Sequence, residues 1–359
     1  MQNNNIRIAF VGDGNSANVR RWIIGLQKVG CKIYLISFEA EQANSFAKTF
    51  SIPFPKIPGK LHYILASWSV KRIMNAIDPD LVIGYSASGY GILAGLASSW
   101  PLVISVTGSD LLDNSLKRIP VKLLSRMTLK KADLITAWEK HMQKAVINYG
   151  INKNKIFVLP SGIDVGRIKN QSKDVNKTQN IGIISTRSLH KLYNLDILLE
   201  AFKRTKKKDL QLTFAGNGTE LDTLKRNAMN LGISERVKFV GFIDNNRIGK
   251  ILSKNHIYIS LSPRDGVSAS LLEAMAAGLL PIVYDNDANR FWIKNNENGI
   301  LLKSIKAEYV AKKIDESVLM MNQINQIAEY NYKLVKNKAD LHNNSKKYVE
   351  IFKELLKYK

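Results

Sequence analysis

The sequence predicts an α/β protein made of two Rossmann-like domains. Three observations carry that expectation. Short apolar runs alternate with amphipathic segments from about Ile6 to Leu302, the pattern of parallel sheets with crossover helices. The pattern occurs in two similar sets. Between them lies KNQSKDVNKTQN, residues 169–180, which is polar and without periodicity and so reads as a linker. A chain of 359 residues, 45% of them hydrophobic, can bury two cores of ordinary size.

The first set places strands near 6–11, 31–38, 81–84, 102–106, 133–137 and 156–159. The opening strand, IRIAFVG, runs into Gly12-Asp13-Gly14-Asn15-Ser16 and then a helix containing Arg20, Arg21 and Trp22. Glycines at a βα turn permit a tight bend and close approach of a ligand. The third glycine of a dinucleotide fingerprint is absent, and Glu39 is too loosely placed to serve as the ribose-binding acid. An ordinary βα turn accounts for the segment equally well. Cys31 is the single cysteine, so no internal disulfide and no cysteine-based zinc site can form, and Cys31 should open a buried strand.

Leu81 to Ser109 contains no charged residue and is long enough to span a bilayer. Its glycines and serines, and the break at Pro101, favour strand 81–84, helix 88–99 and strand 102–106 instead. A strand buried on both faces reads as a continuous apolar run. The last of these strands ends at Val106 and leads into Thr107-Gly108-Ser109-Asp110. LPSGID, residues 159–164, forms a turn near the end of the first set.

The second set places strands near 181–185, 210–215, 236–240, 257–261, 280–284 and 299–302. Beyond Ser304 only helical patterning continues. It closes on YVEIFKELLKYK, where Tyr348, Ile351, Phe352 and Leu355 share one face. The five histidines, at 62, 141, 190, 256 and 342, have no ligand spacing.

Ser262 to Val283, SPRDGVSASLLEAMAAGLLPIV, is the most specific stretch. A strand ends in a Pro-Arg-Asp-Gly loop. A helix follows, opened by Ser268 and closed by Gly278, and then another strand. In open α/β sheets ligands sit at such a loop, because N–H groups at the helix start point into the crevice. Asp265 and Glu273 flank that start. A nucleotide-sugar offers a diphosphate that takes N–H donors and hydroxyls that take carboxylate acceptors, and this junction supplies both. On spacing alone, Glu273 could equally just complement the positive end of its helix.

The same stretch resembles the donor-site signature of retaining glycosyltransferases of family 4, which have the GT-B fold. Asp265 stands at the first acid of that pattern, shortened from Glu, and Glu273 at the second. Ala274, Met275, Ala276 and Gly278 match the rest. The resemblance implies that Glu273 holds ribose hydroxyls and Asp265 orients the donor sugar. It implies that N–H groups around Val267, Ser268 and Ala269 face the diphosphate. Arg187 matches an Arg that neutralises the leaving group. The Lys that usually follows has Tyr193 in its slot, and Lys191 fills the role only if the loop is one residue longer. Gly14 and Asn15 would face the diphosphate, Gly216 would form the second glycine-rich turn, and Phe242 and Ile243 would frame the base. Thr107 stands where the family often has His, and Asp110 could hold a sugar or acceptor hydroxyl.

Together these matches imply transfer of a sugar from a nucleotide-diphosphate sugar, with UDP expected, to a glycan or lipid-linked acceptor in envelope polysaccharide or glycoconjugate assembly. No cofactor and no metal is required. The expected domains are 1–168 for the acceptor, 169–180 as linker, 181–335 for the nucleotide-sugar, and 336–359 as a helix packing back on the first domain. Two other readings are a nucleotide-sugar epimerase on the same fold and a non-catalytic nucleotide-binding relative. The start, MQNNNIRIAF, has no signal-peptide pattern, so a cytoplasmic protein is expected. A net charge of +23 suits nucleic acid, an anionic membrane surface or an anionic substrate, or reflects compositional drift. No nucleic-acid module accompanies it, so nucleic acid is excluded as a partner. An anionic membrane, an anionic substrate and drift remain open, and the first would make the protein peripheral on the inner face of the plasma membrane.

Overall fold

The computed structural model describes residues 5–39, 43–53, 61–107, 111, 119–168, 181–244, 246–263 and 268–358. The chain divides into two compact units. One comprises Met1–Gly162 with Ala339–Lys359, the other Ile163–Lys338. The first boundary falls a few residues before the expected one, and the returning segment starts a few residues later. The expected linker, 169–180, lies outside the described residues.

Unit 1 contains β1 (Arg7–Val11), α1 (Ala17–Lys28), β2 (Lys32–Ser37), β3 (Lys48–Ser51), α2 (Leu61–Ile77), β4 (Leu81–Tyr85), α3 (Tyr90–Ala97), β5 (Leu102–Val106), α4 (Ile119–Lys131), β6 (Leu134–Ala137), α5 (Lys140–Ile147) and β7 (Ile156–Val158). All strands are parallel, in the order β3-β2-β1-β4-β5-β6-β7. The uncharged stretch from Leu81 is therefore strand, helix, strand. β4 and β5 are buried at every position, which is why they lack alternation. Among the described residues no helix is long and apolar enough to cross a membrane.

Unit 2 contains β8 (Ile181–Ser185), α6 (Leu195–Arg204), β9 (Leu210–Phe214), α7 (Leu221–Asn230), β10 (Val237–Phe239), α8 (Ile248–Leu252), β11 (Ile257–Ser260), α9 (Ala269–Ala276), β12 (Leu280–Tyr284), α10 (Asp287–Trp292), β13 (Ile300–Leu302), α11 (Ala307–Leu319) and α12 (Ile324–Ala339). Its sheet is also parallel, in the order β10-β9-β8-β11-β12-β13. The core sits between this sheet and helices α6, α7 and α11. It includes Ile183, Leu198, Phe202, Leu212, Phe214, Ile259, Ile282 and Ile314.

The chain then returns to unit 1 as α13 (Leu341–Lys357). Its apolar face lies on α1, with the Tyr348 ring 5.2 Å from that of Trp22. Asn344 Nδ2 donates to the Pro160 carbonyl at 2.9 Å, and the Tyr348 hydroxyl donates to the Leu159 carbonyl. The LPSGID turn, to which no chemistry was given, is the seat on which this helix rests.

β3 was not expected. It reads KTFS, has no fully buried residue and pairs with β2 at the edge of the sheet. An edge strand needs neither an apolar run nor a buried face, so periodicity does not reveal it.

Candidate functional site

In a doubly wound sheet the crevice opens where the strand order reverses. In unit 2 that point lies between β8 and β11. Arg187 follows β8, and Ser268 opens α9, the helix after β11. The topology thus brings two segments some eighty positions apart in sequence to one strand-end junction.

The Arg187 loop is fixed against the loop after β9. Ala215 N–H donates to the Ser185 carbonyl at 2.9 Å, and Leu189 N–H to the Asn217 carbonyl at 2.9 Å. A Cβ on Gly216 would lie 2.4 Å from the Arg187 carbonyl oxygen, so only glycine fits there. That close approach is a packing reason for Gly216, independent of any ligand. Asn194, in the left-handed region at φ 53°, reaches the Leu261 carbonyl with Nδ2 at 3.1 Å and ties the start of α6 to the end of β11.

The Arg187 guanidinium donates from Nη1 to Ser268 Oγ at 2.8 Å and to Ser270 Oγ at 3.2 Å. Ser268 caps α9, accepting from Leu271 N–H at 3.4 Å, and the two serine hydroxyls lie 2.9 Å apart. Tyr258, on β11, donates its hydroxyl to Ser270 at 3.1 Å. The Tyr193 ring lies against the guanidinium, 4.2 Å from its carbon. Such a contact contributes about 0.5–1 kcal/mol and holds a cation without neutralising it. Glu273 is half-buried one turn beyond Ser270, and i, i+3 positions share a helix face. Cation, helix start and carboxylate therefore occupy one side of α9. That side can take a bound anion together with its hydroxyls.

The other expected residues are placed as follows. The group against Arg187 is Tyr193, while Lys191 stands exposed at the start of a 3-10 turn, Lys191–Tyr193. The loop therefore presents a ring where a second cation was sought. Asp265 and Val267 lie outside the described residues, as does Asp110. Ala269 begins α9, and Thr107 follows β5 half-buried.

Phe242 and Ile243 border a cavity of about 690 Å³ whose lining also includes Lys238, Arg247, Lys250 and Lys254. Arg187, Ser268 and Glu273 do not line it. Phe242 is 73% exposed there. The hydrogen-bonded cluster has the convergent chemistry, so the candidate site is placed there.

In unit 1 the opening loop is internally satisfied. Gly14 N–H donates to Ser37 Oγ at 3.0 Å, and Asn15 N–H to Asp13 Oδ1 at 2.9 Å. A Cβ on Gly14 would come within 2.1 Å of the Glu39 carbonyl oxygen. Neither N–H is offered to a diphosphate in this arrangement, and the turn is explained by packing. Glu39, at the end of β2, accepts a hydrogen bond from the Tyr90 hydroxyl at 2.5 Å. Burial, then that bond, push the Tyr90 phenol upward.

Tyr193, Tyr258 and Ser270 were not found from sequence. Ser268 read as the helix cap with its N–H toward the diphosphate, Ser270 carried no signal, and Tyr193 read as a mismatch.

Residues 167–334 match the family described as "Glycosyl transferases group 1", and residues 7–139 match "Glycosyl transferase 4-like". A glycosyltransferase of Methanocaldococcus jannaschii, MJ1069, is 25% identical over 68% of this chain and 64% of its own length. The Campylobacter jejuni protein named N-acetylgalactosamine-N,N'-diacetylbacillosaminyl-diphospho-undecaprenol 4-alpha-N-acetylgalactosaminyltransferase is 27% identical, over 91% of this chain and 86% of its own. Among solved structures, a glycosyltransferase from Rickettsia africae superposes with a TM-score of 0.81 at 19% identity, covering 99% of this chain and all of its own. Anabaena HepE in complex with UDP superposes at 0.79 and 17% identity, covering 98% of this chain and all of its own.

Proposed function

The chain belongs to the GT-B glycosyltransferases of group 1 and 4-like type, and from that premise we propose that it transfers a sugar from a UDP-sugar, with retention of anomeric configuration, to a lipid-linked glycan of envelope polysaccharide assembly. The observation that carries this reading is the Arg187 guanidinium held at the start of α9, with Glu273 one turn on. Two comparisons support the finer points. HepE was crystallised with UDP, and the Campylobacter relative is named for a diphospho-undecaprenol acceptor.

In this reaction the bond from the anomeric carbon to the diphosphate oxygen breaks, a bond to the acceptor hydroxyl oxygen forms, and the hydroxyl proton passes to the departing diphosphate. Negative charge grows on the departing diphosphate. Arg187 neutralises it with a planar fork suited to phosphate oxygens, and Lys191 adds a longer-range positive charge. Glu273 accepts hydrogen bonds from the ribose hydroxyls. Asp265 orients the donor sugar, and Thr107 and Asp110 contribute to the sugar and acceptor end. Charge is balanced by side chains and a helix start, so the reaction proceeds without a metal or cofactor. The acceptor places the protein at the cytoplasmic face of a membrane.

Incubation with UDP-, GDP- and dTDP-sugars, with and without a diphospho-lipid acceptor, tests the reading. Nucleotide release from a UDP-sugar that rises on adding acceptor is expected. Conversion of a nucleotide-sugar to its epimer without acceptor, or release from GDP-sugars alone, would overturn it.

A further inference from the structure

Helices α3, α4 and α5 each link a strand to its next neighbour across the unit 1 sheet, from β4 through β7, and α2 crosses in the same direction from the edge strand β3, past β2 and β1, to β4. Right-handed crossovers therefore put all four on the same face. α1 runs the other way, and its face is covered by α13. The four helices contain no Asp or Glu. Helices of unit 2, by contrast, carry Asp196, Glu200, Asp222, Glu308, Asp315 and Glu316. The basic excess of this layer is thus a local arrangement and not drift spread evenly over the chain.

The layer also exposes large apolar side chains. Trp68 is 79% exposed, Leu65 49%, Leu123 56% and Met127 55%. Leu65 and Trp68 are i, i+3 on α2, with Arg72 the next residue along that line. On α4, Leu123 and Met127 form one i, i+4 stripe, and exposed Lys122, Arg126 and Lys130 form the adjacent one. α3 packs between α2 and α4. Lys131 closes the α3 end by donating to the Gly95 and Ser98 carbonyls at 2.6 and 2.8 Å. Burial and then the nearby Lys71 charge lower the pKa of its ammonium. Apolar tips beside basic stripes, with no carboxylate, match an anionic interface: rings and alkyl chains enter the headgroup boundary while cations meet lipid phosphates.

We propose that this helical layer is a docking surface for a bilayer containing anionic lipid, with Trp68, Leu123 and Met127 inserted and Lys122, Arg126 and Arg72 against the headgroups. The proposal deepens the lipid-linked acceptor reading and rests on it only for its purpose, since bilayer binding requires no transfer.

The test is sedimentation of the full chain with vesicles of phosphatidylcholine, alone or with about a third phosphatidylglycerol, a content that sets a strongly negative surface. Binding to the acidic vesicles only, released by high salt, is expected. Each cation near the surface contributes about fivefold in partitioning, so Lys122→Glu with Arg126→Glu should lower it at least about 25-fold. Trp68→Ser should lower it roughly tenfold. Lys203→Glu with Lys225→Glu, on exposed positions of α6 and α7, should leave it nearly unchanged. Equal loss in that control pair would assign binding to bulk charge and overturn the proposal. So would failure to bind acidic vesicles, or a dimer that Trp68→Ser dissociates. Transfer to a water-soluble acceptor fragment should persist in the Trp68 variant. Its absence in the wild-type protein would strike the transferase reading and leave the vesicle result standing.

Discussion

Arg187 is held by two serine hydroxyls and a tyrosine ring, none of them charged. The guanidinium is thereby positioned in advance, as a group acting on a growing negative charge must be. Arg187→Ala should lower kcat about tenfold or more while changing KM less, because the charge it meets is larger in the transition state. Steady-state kinetics on the folded variant would read this, and a rise in KM alone would reassign Arg187 to ground-state binding. Cys31 is the opposite kind of residue. Burial pushes its thiol up to about 12. The folded thiol should resist a colorimetric disulfide reagent at pH 8 and react fully once the protein is denatured. Because the folded value is raised, its contribution to stability is intact below the ordinary value of 9.0 and is lost as pH climbs toward about 12. Arg187 and Glu273 stand out in the sequence because their types and spacing follow a pattern. The roles of Ser270, Tyr258 and Tyr193 do not, because they depend on which strand lies beside which. Gly14 has a packing reason of its own, since a Cβ there would meet the Glu39 carbonyl.

Most elements were legible where burial imposed a period. β4, β5, β8 and β11 are buried throughout and stand out as apolar runs. β3 has no such face and was missed. The segment after Ser304 showed its amphipathic stripe, but nothing local said what the stripe covers. The answer involves residues far apart in sequence: Trp22 on α1 and the carbonyls of Leu159 and Pro160. Tyr348→Phe leaves the buried Leu159 carbonyl without that donor, which should cost about 1–3 kcal/mol. Denaturant unfolding monitored on unit 1 should show the loss, and an unchanged midpoint would mean the bond adds nothing net. Since Tyr348 belongs to unit 1 and Arg187 to unit 2, UDP affinity at native conditions should be unaltered in the same variant.

At the scale of the molecule, two parallel sheets of the same winding carry different chemistry at their strand ends. In unit 2 the reversal between β8 and β11 gathers a cation, a capped helix start and a carboxylate. In unit 1 the corresponding loop after β1 closes on itself. The two halves share one strand pattern, the donor signature lies only in the second, and the hydrogen bonds at the strand ends differ in the same sense. The overall charge of +23 was readable at once, but placing part of it on one layer of helices whose sequences hold no carboxylate required the sheet order. The central claim is that α9 holds a nucleotide through Glu273, and calorimetric titration with UDP tests it most directly. The wild-type protein should bind, and Glu273→Ala, with unchanged thermal unfolding, should bind about ten- to a hundredfold more weakly, the value of a charge-assisted hydrogen bond of about 1.5–3 kcal/mol. Equal affinity in the folded variant would remove Glu273 from the site and contradict the account.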